Sequence, residues 1–250
     1  MKKPQFPLLT SLSFTLVPLA SQGAILVTEN FDYADGNLTN NAAWTAHSGG
    51  GSVPITVTSS AVILSHGSGS REDVNTTFTT KNSGILSAQF SLMVSDDVPI
   101  AGTDFEYFAH FGTGGGASMR NFVSKLDVVS PTDSGNFDFT LGISASGGTA
   151  EISYGTDFSF GAIIAVFLEF DVDTGQTSLT VDGGATVMTS TPANVGLDLA
   201  AFALRQSDST ADEIITIDSL VISHAEAVPE PSSTLGLFGL LLTGLALRKR

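Results

Sequence analysis

The stretch Ile163-Ile164-Ala165-Val166-Phe167-Leu168-Glu169-Phe170-Asp171-Val172-Asp173, followed by Thr174-Gly175 and Gln176-Thr177-Ser178-Leu179-Thr180-Val181-Asp182-Gly183-Gly184, decides the fold. A strand points successive side chains to opposite faces. Val166, Leu168, Phe170 and Val172 therefore share one face, and Ala165, Phe167, Glu169, Asp171 and Asp173 the other. Gly175 supplies the positive φ that a tight turn needs. The two runs read as a β-hairpin with one apolar and one wet face.

Outward from this hairpin, no long stretch between Ala24 and Ala227 has apolar residues at helical spacing. Short runs rich in Val, Ile, Phe and Thr alternate with Gly, Asn, Asp and Ser, which predicts strands and turns. The predicted strands are Ile25–Val27, Val53–Thr58, Ala61–Leu64, Val74–Phe78, Ile85–Val94 and Phe105–Phe111. In the second half they are Phe122–Val128, Phe137–Ile143, Ile163–Val172, Thr177–Asp182, Ala201–Leu204 and Ile214–Ile222. Twelve short strands joined by turns predict an all-β domain of two antiparallel sheets packed face to face. There is no internal repeat and no linker before Pro229, so one domain is expected.

The ends have a different composition. Met1-Lys2-Lys3 is basic, Phe6–Leu19 is apolar and uncharged, and Ala20-Ser21-Gln22-Gly23-Ala24 offers small residues to a signal peptidase. This predicts a signal peptide over residues 1–23, with Gly23 the preferred cut. At the other end stand Val228-Pro229-Glu230-Pro231, an apolar run Leu235–Leu247, and Arg248-Lys249-Arg250. Thirteen helical residues span about 20 Å, against a hydrocarbon layer of roughly 30 Å. Such a short hydrophobic helix inserts transiently but anchors poorly, and the three terminal cations hold to the cytoplasmic side.

With the basic ends set aside, five cations (Arg71, Lys81, Arg120, Lys125 and Arg205) face all 25 carboxylates, a net charge of −20. A surface this acidic repels phosphate backbones and argues against nucleic-acid binding. There is no cysteine, so a stable domain must come from core burial alone.

Two resemblances follow. The order Val228-Pro229-Glu230-Pro231, apolar run, basic terminus resembles the PEP-CTERM sorting signal of bacterial exported proteins, which the membrane protease exosortase recognises and cuts. The resemblance implies that Val228, Pro229, Glu230 and Pro231 form the recognised motif and that Arg248, Lys249 and Arg250 stop export. The hairpin ending in Leu179-Thr180-Val181-Asp182-Gly183 resembles the central hairpin of concanavalin A-like, laminin-G-like jelly rolls. Glu29-Asn30-Phe31-Asp32-Tyr33-Ala34-Asp35-Gly36 with Trp44 is similar to the opening of exported jelly-roll proteins that carry this signal. Glu106–Gly112, Ala203–Gln206 and Ile217–Val221 match that group's later strands in order. Expected are a signal peptide (1–23), a jelly-roll sandwich (24–226) and a sorting tag (227–250).

Candidate chemistry is sparse. Glu169-Phe170-Asp171-Val172-Asp173 partly resembles the Glu-x-Asp-x-Glu strand of laminarinase-type glycoside hydrolases, but its last position is one methylene short. A straight strand also separates i and i+4 by about 13 Å, where a retaining carboxylate pair needs about 5–5.5 Å. Asp171-x-Asp173-x-Gly175 would suit calcium, yet Gln176 and Asp182 occupy the positions where an EF-hand needs Gly and Glu. The turn alone accounts for these residues.

His47, His66, His110 and His224 are scattered without metal-ligand spacing. Strand alternation puts His110 on the same face as Phe108. Arg205 is expected to pair with a carboxylate, Gly112–Gly116 to be a flexible connection, and Asp32/Asp35, Asp96-Asp97 and Asp212-Glu213 to be ordinary surface. No catalytic residue, metal site or cofactor is expected. The sequence reads as an exported, non-catalytic protein of the cell envelope or extracellular polysaccharide matrix of a Gram-negative-type bacterium, structural or glycan-binding. Signal peptidase, exosortase and extracellular polysaccharide are the expected partners, and a laminarinase-like hydrolase is the alternative.

Overall fold

The computed structural model describes residues 23–101 and 107–226. These form sixteen strands. The first eight are β1 (Ala24–Glu29), β2 (Gly36–Asn37), β3 (Thr45–Ser48), β4 (Thr56–Thr58), β5 (Ala61–Ser65), β6 (Asp73–Lys81), β7 (Ile85–Ser95) and β8 (Tyr107–Thr113). Then come β9 (Arg120–Val129), β10 (Thr140–Ser144), β11 (Ile152–Ser153), β12 (Ile163–Asp171), β13 (Gln176–Val181), β14 (Val187–Met188), β15 (Leu199–Leu204) and β16 (Ile214–Ala225). All twelve predicted strands are present with shifted ends, and the short β2, β3, β11 and β14 are additional. Phe105 and Glu106, at the start of one predicted strand, lie outside the described residues.

The strands build two antiparallel sheets. One has the order β14-β13-β12-β7-β16-β5-β4-β2, with β1 also on β16; the other runs β11-β10-β9-β8-β15-β6-β3. Within the hairpin, Val166 faces Val181, Leu168 faces Leu179, and Asp171 faces Gln176. Val166, Leu168, Phe170 and Val172 are fully buried, as the alternation requires. Gly175 closes the turn at φ +74, and a Cβ there would lie 2.3 Å from the Ala193 carbonyl oxygen.

The core sits between the sheets. Phe90 of β7 meets Phe108 and Phe202 of the opposite sheet at 6.4 Å each, and Phe202 meets Phe111 at 5.3 Å. Burying each such ring contributes about 1.5–3 kcal/mol, so a chain without disulfides can hold two sheets together. β16 is the long central strand. Its first half pairs with β5 and its second half with β1, with β7 along its other side. Ala24 thereby lies opposite His224.

The opening segment is tied to this frame by one carboxylate. Glu29 accepts hydrogen bonds from the Phe31 amide (3.1 Å), the Tyr33 hydroxyl (2.6 Å) and the Trp44 indole (3.2 Å). Trp44 also packs against Phe31 at 6.0 Å. Burial, reinforced by Glu29, pushes the Tyr33 phenol up to about 12.

Candidate functional site

The outer face of the seven-stranded sheet carries the one place where aromatic rings, imidazoles and both signs of charge converge among the described residues. Two bulges create it. From Ala201 to Leu204 of β15, past a register shift after Leu199, alternation is regular: Phe202 and Leu204 enter the core while Ala201 and Ala203 point outward. Next to it, Ala203 pairs with His110 and Leu204 with Ala109. Simple alternation would then send Phe108 outward. Instead the register shifts between Tyr107 and Ala109, and Phe108 and Ala109 both enter the core. Such a bulge re-aims the flanking side chains. Tyr107 and His110 consequently share the outer face, with ring centroids 5.6 Å apart. This corrects the expectation that His110 follows Phe108.

The second bulge lies in β9. Val123 and Leu126 both enter the core although they are three positions apart. Ser124 absorbs the extra residue at φ +54, a left-handed backbone that non-glycine residues seldom adopt. Phe122, Lys125 and Asp127 are left on the outer face, with Asp127 directly across from Tyr107. Lys125 Nζ lies 4.4 Å and Arg205 Cζ 4.3 Å from the centre of the Tyr107 ring. Two of the five cations that lie between the basic ends thus contact a single phenol ring.

His47 of β3 completes the cluster, 5.8 Å from Phe122 and 6.2 Å from His110. Phe122 in turn lies 4.4 Å from His110. The Asn75 amide holds this edge: its Oδ1 accepts from Gly116 N, and its Nδ2 faces Thr45 O, Gly116 O and His47 Nδ1. Because Gly116 N–H must find an acceptor, the Asn75 orientation is fixed. His47 Nδ1 is then an acceptor, and the ring proton sits on Nε2. Gly114 and Gly116, expected to be flexible, belong to an ordered turn that this amide clamps.

These groups surround an open cavity of about 400 Å³, lined by His47, Asp73, Tyr107, Phe122, Arg205 and Asp208 among others. Ala201, Ala203 and Met119 form a small buried apolar cluster on the same face, with Phe122 packed against it. Asp73 is buried, and its Oδ1 accepts from the Gln206 and Ser207 amides and the Ser207 hydroxyl at 3.0–3.1 Å. His110 is fully buried. Its Nδ1 bonds to Phe111 O, and its Nε2 has no hydrogen-bond partner among the described residues.

Electrostatics follow from this burial. Desolvation, helped by the neighbouring His47, pushes the His110 imidazole down to about 3. Desolvation also lowers His47 and Lys125, in each case offset in part by a nearby aspartate. It raises the Tyr107 phenol, and Asp73, Asp127 and Asp208 reinforce that rise against the pull of Arg205. The cluster is therefore a partly dry, mixed-charge surface with neutral imidazoles.

The other predicted positions have structural partners. Glu169 lies on the outer face of the opposite sheet, accepts from the Ser178 hydroxyl, and has its carboxyl pushed up by burial. Asp171 Oδ1 accepts from the Asp173 and Thr174 amides, Asp173 Oδ2 from Gly84 N, and Asp182 Oδ1 from Ala165 N. These carboxylates pin the hairpin and its neighbour. Asp212-Glu213 is not ordinary surface, because Glu213 is fully buried with its Oε1 2.9 Å from His66 Nδ1. His66 Nε2 in turn reaches the Arg205 carbonyl at 3.1 Å. No group of three or more His, Cys, Asp or Glu is arranged to hold a metal among the described residues. No helix there is long and apolar enough to cross a membrane.

Val228, Pro229, Glu230, Pro231, Arg248, Lys249 and Arg250 lie outside the described residues. Their sequence is nonetheless decisive. Residues 227–250 match the PEP-CTERM protein-sorting motif. The motif marks a protein exported by bacteria that use exosortase, and it implies processing by that enzyme. The sandwich is similar to the carbohydrate recognition domain of Emp47p, with a TM-score of 0.51 at 10% identity over 80% of this chain and 95% of that one. It is also similar to the lectin from Bauhinia forficata in complex with GalNAc, with a TM-score of 0.50 at 9% identity over 82% and 100% of the two chains. At such identities the likeness is one of fold: a concanavalin A-like jelly roll. No curated protein matches the chain.

Proposed function

We propose that residues 24–226 form a non-catalytic glycan-binding module, delivered to the cell envelope or extracellular polysaccharide matrix by its two tags. Signal peptidase acts at Gly23. The segment Leu235–Leu247 holds the chain transiently in the membrane, Arg248–Arg250 stop its export, and exosortase cuts at the motif around Glu230. The observation that carries the binding reading is the open cavity beside Tyr107. A sugar needs apolar faces for its C–H groups and several fixed donors and acceptors for its hydroxyls. Tyr107 and Phe122 supply the first; Asp73, Arg205, Ser207, Asp208 and the Nε2 proton of His47 supply the second.

The hydrolase alternative loses support because Asp171 and Asp173 are bonded to turn amides and Glu169 lies on the other sheet's outer face. The test is a glycan array probed with the full chain purified in detergent, wild type beside Tyr107→Leu. Binding by the wild type that the variant loses supports the module, and absence of binding by both sinks it. Reducing-sugar release from β-glucans that disappears in Glu169→Gln would instead make the protein an enzyme.

A further inference from the structure

The cavity discriminates by charge in a way that its neighbours determine. Three charged side chains line it: Arg205, Asp73 and Asp208. The Arg205 guanidinium lies on the Tyr107 ring. Lys125, on the same ring, does not line the cavity, and its Nζ donates to the Ser146 carbonyl at 3.1 Å. His47 remains neutral. The lining therefore has two carboxylates against one cation, within a sequence whose middle carries −20. Asp208 is the exposed member, at the rim. Its backbone is held left-handed at φ +54, with its amide donating to Gly69 O at 3.0 Å.

We infer that the cavity accepts an uncharged, hydroxyl-bearing glycan and turns away its uronate counterpart, with Asp208 the residue that sets the difference. This rests on the glycan-binding reading above. Hydroxyl groups donate to the Asp73 and Asp208 carboxylates and accept from His47 Nε2–H and Arg205, so a neutral sugar satisfies both kinds of group. A carboxylate in the same place meets two like charges and one cation already stacked on a ring. Rejection by repulsion needs no extra contact to the favoured ligand. At the exposed rim, where Asp208 stands, that repulsion is screened by salt.

The experiment uses matched pairs that differ only at C6: gluco- against glucurono-, manno- against mannurono-, and galacto- against galacturono-oligomers. They are titrated against the full chain in detergent. For the pair whose neutral member binds, the uronate member should bind about tenfold more weakly or worse. Raising the salt from low to high should narrow that gap. Asp208→Asn should narrow it at least threefold, and asparagine tolerates the same left-handed backbone, so the fold is kept. Equal or tighter binding of the uronate, or a gap unmoved by both salt and Asp208→Asn, overturns the inference while leaving glycan binding intact. If no member of any pair binds, the underlying reading itself has failed.

Discussion

Two regions of this sandwich set aromatic rings beside carboxylates, and they do so to different ends. Around Glu29, three donors from Phe31, Tyr33 and Trp44 converge on one carboxylate, and one tilted ring pair closes the packing. Around Tyr107, two cations stack on one ring, neutral imidazoles crowd behind it, and His110 Nε2 is left without a partner among the described residues. The first region is satisfied and closed, and the second is open and incompletely satisfied. The unpaired nitrogen is fully buried and does not line the cavity, so what the second region offers to an outside group is the open face beside Tyr107.

This contrast can be broken by substitution. Glu29→Ala strips three donors of their shared acceptor and should cost on the order of 3 kcal/mol of stability, read as a lowered urea midpoint. It should leave glycan affinity unchanged. A loss of affinity with little loss of stability would reverse the roles assigned to the two regions. Tyr107→Leu should do the opposite: binding at least tenfold weaker, while stability shifts by no more than about 1.5 kcal/mol, since one apolar body replaces another.

His110→Leu sharpens the comparison further. The variant removes an unpaired buried Nε2 together with the Nδ1 bond to Phe111 O, two opposing effects that should leave stability within about 1 kcal/mol of the wild type. The same variant tests the pH dependence. The folded imidazole titrates near 3, below its ordinary 6.5. The unfolded chain therefore takes up the proton first, and stability falls as the pH drops from about 6.5 towards 3. Denaturation midpoints across that range should decline less steeply in His110→Leu than in the wild type. An identical acid decline in both would show that His110 is not desolvated as described.

The frame was more legible than the site, and the reason is physical. The hairpin 163–184 announces itself because its period of two is unbroken and a glycine marks the turn. Alternation fails wherever a bulge inserts a residue, and neither bulge here is marked by glycine: one falls at Phe108–Ala109 and the other at Ser124. Reading Tyr107 and His110 as opposite faces was therefore the natural inference from residue parity. β3 was missed because Thr45-Ala46-His47-Ser48 has no apolar alternation, and with it went His47. Arg205 stood out as a rare cation, but its ring partner sits almost a hundred positions earlier. The Glu29–Trp44 opening was recognisable as a pattern, although its role as a hydrogen-bonded lock shows only once the chain is folded.

β16 has one more consequence. It leaves the end of the sandwich where His66 meets Glu213 and the Arg205 carbonyl, and finishes at Ala225, two positions before the sorting motif begins. Its twelve residues, with one bulge at Ser219, cover less than about 40 Å. If the cavity binds a glycan as proposed, a tug between that glycan at one pole and the end of the domain at the other would run lengthwise along a strand flanked on both sides. Its cross-strand bonds then bear the load together, in shear, where a peeling force would part them singly.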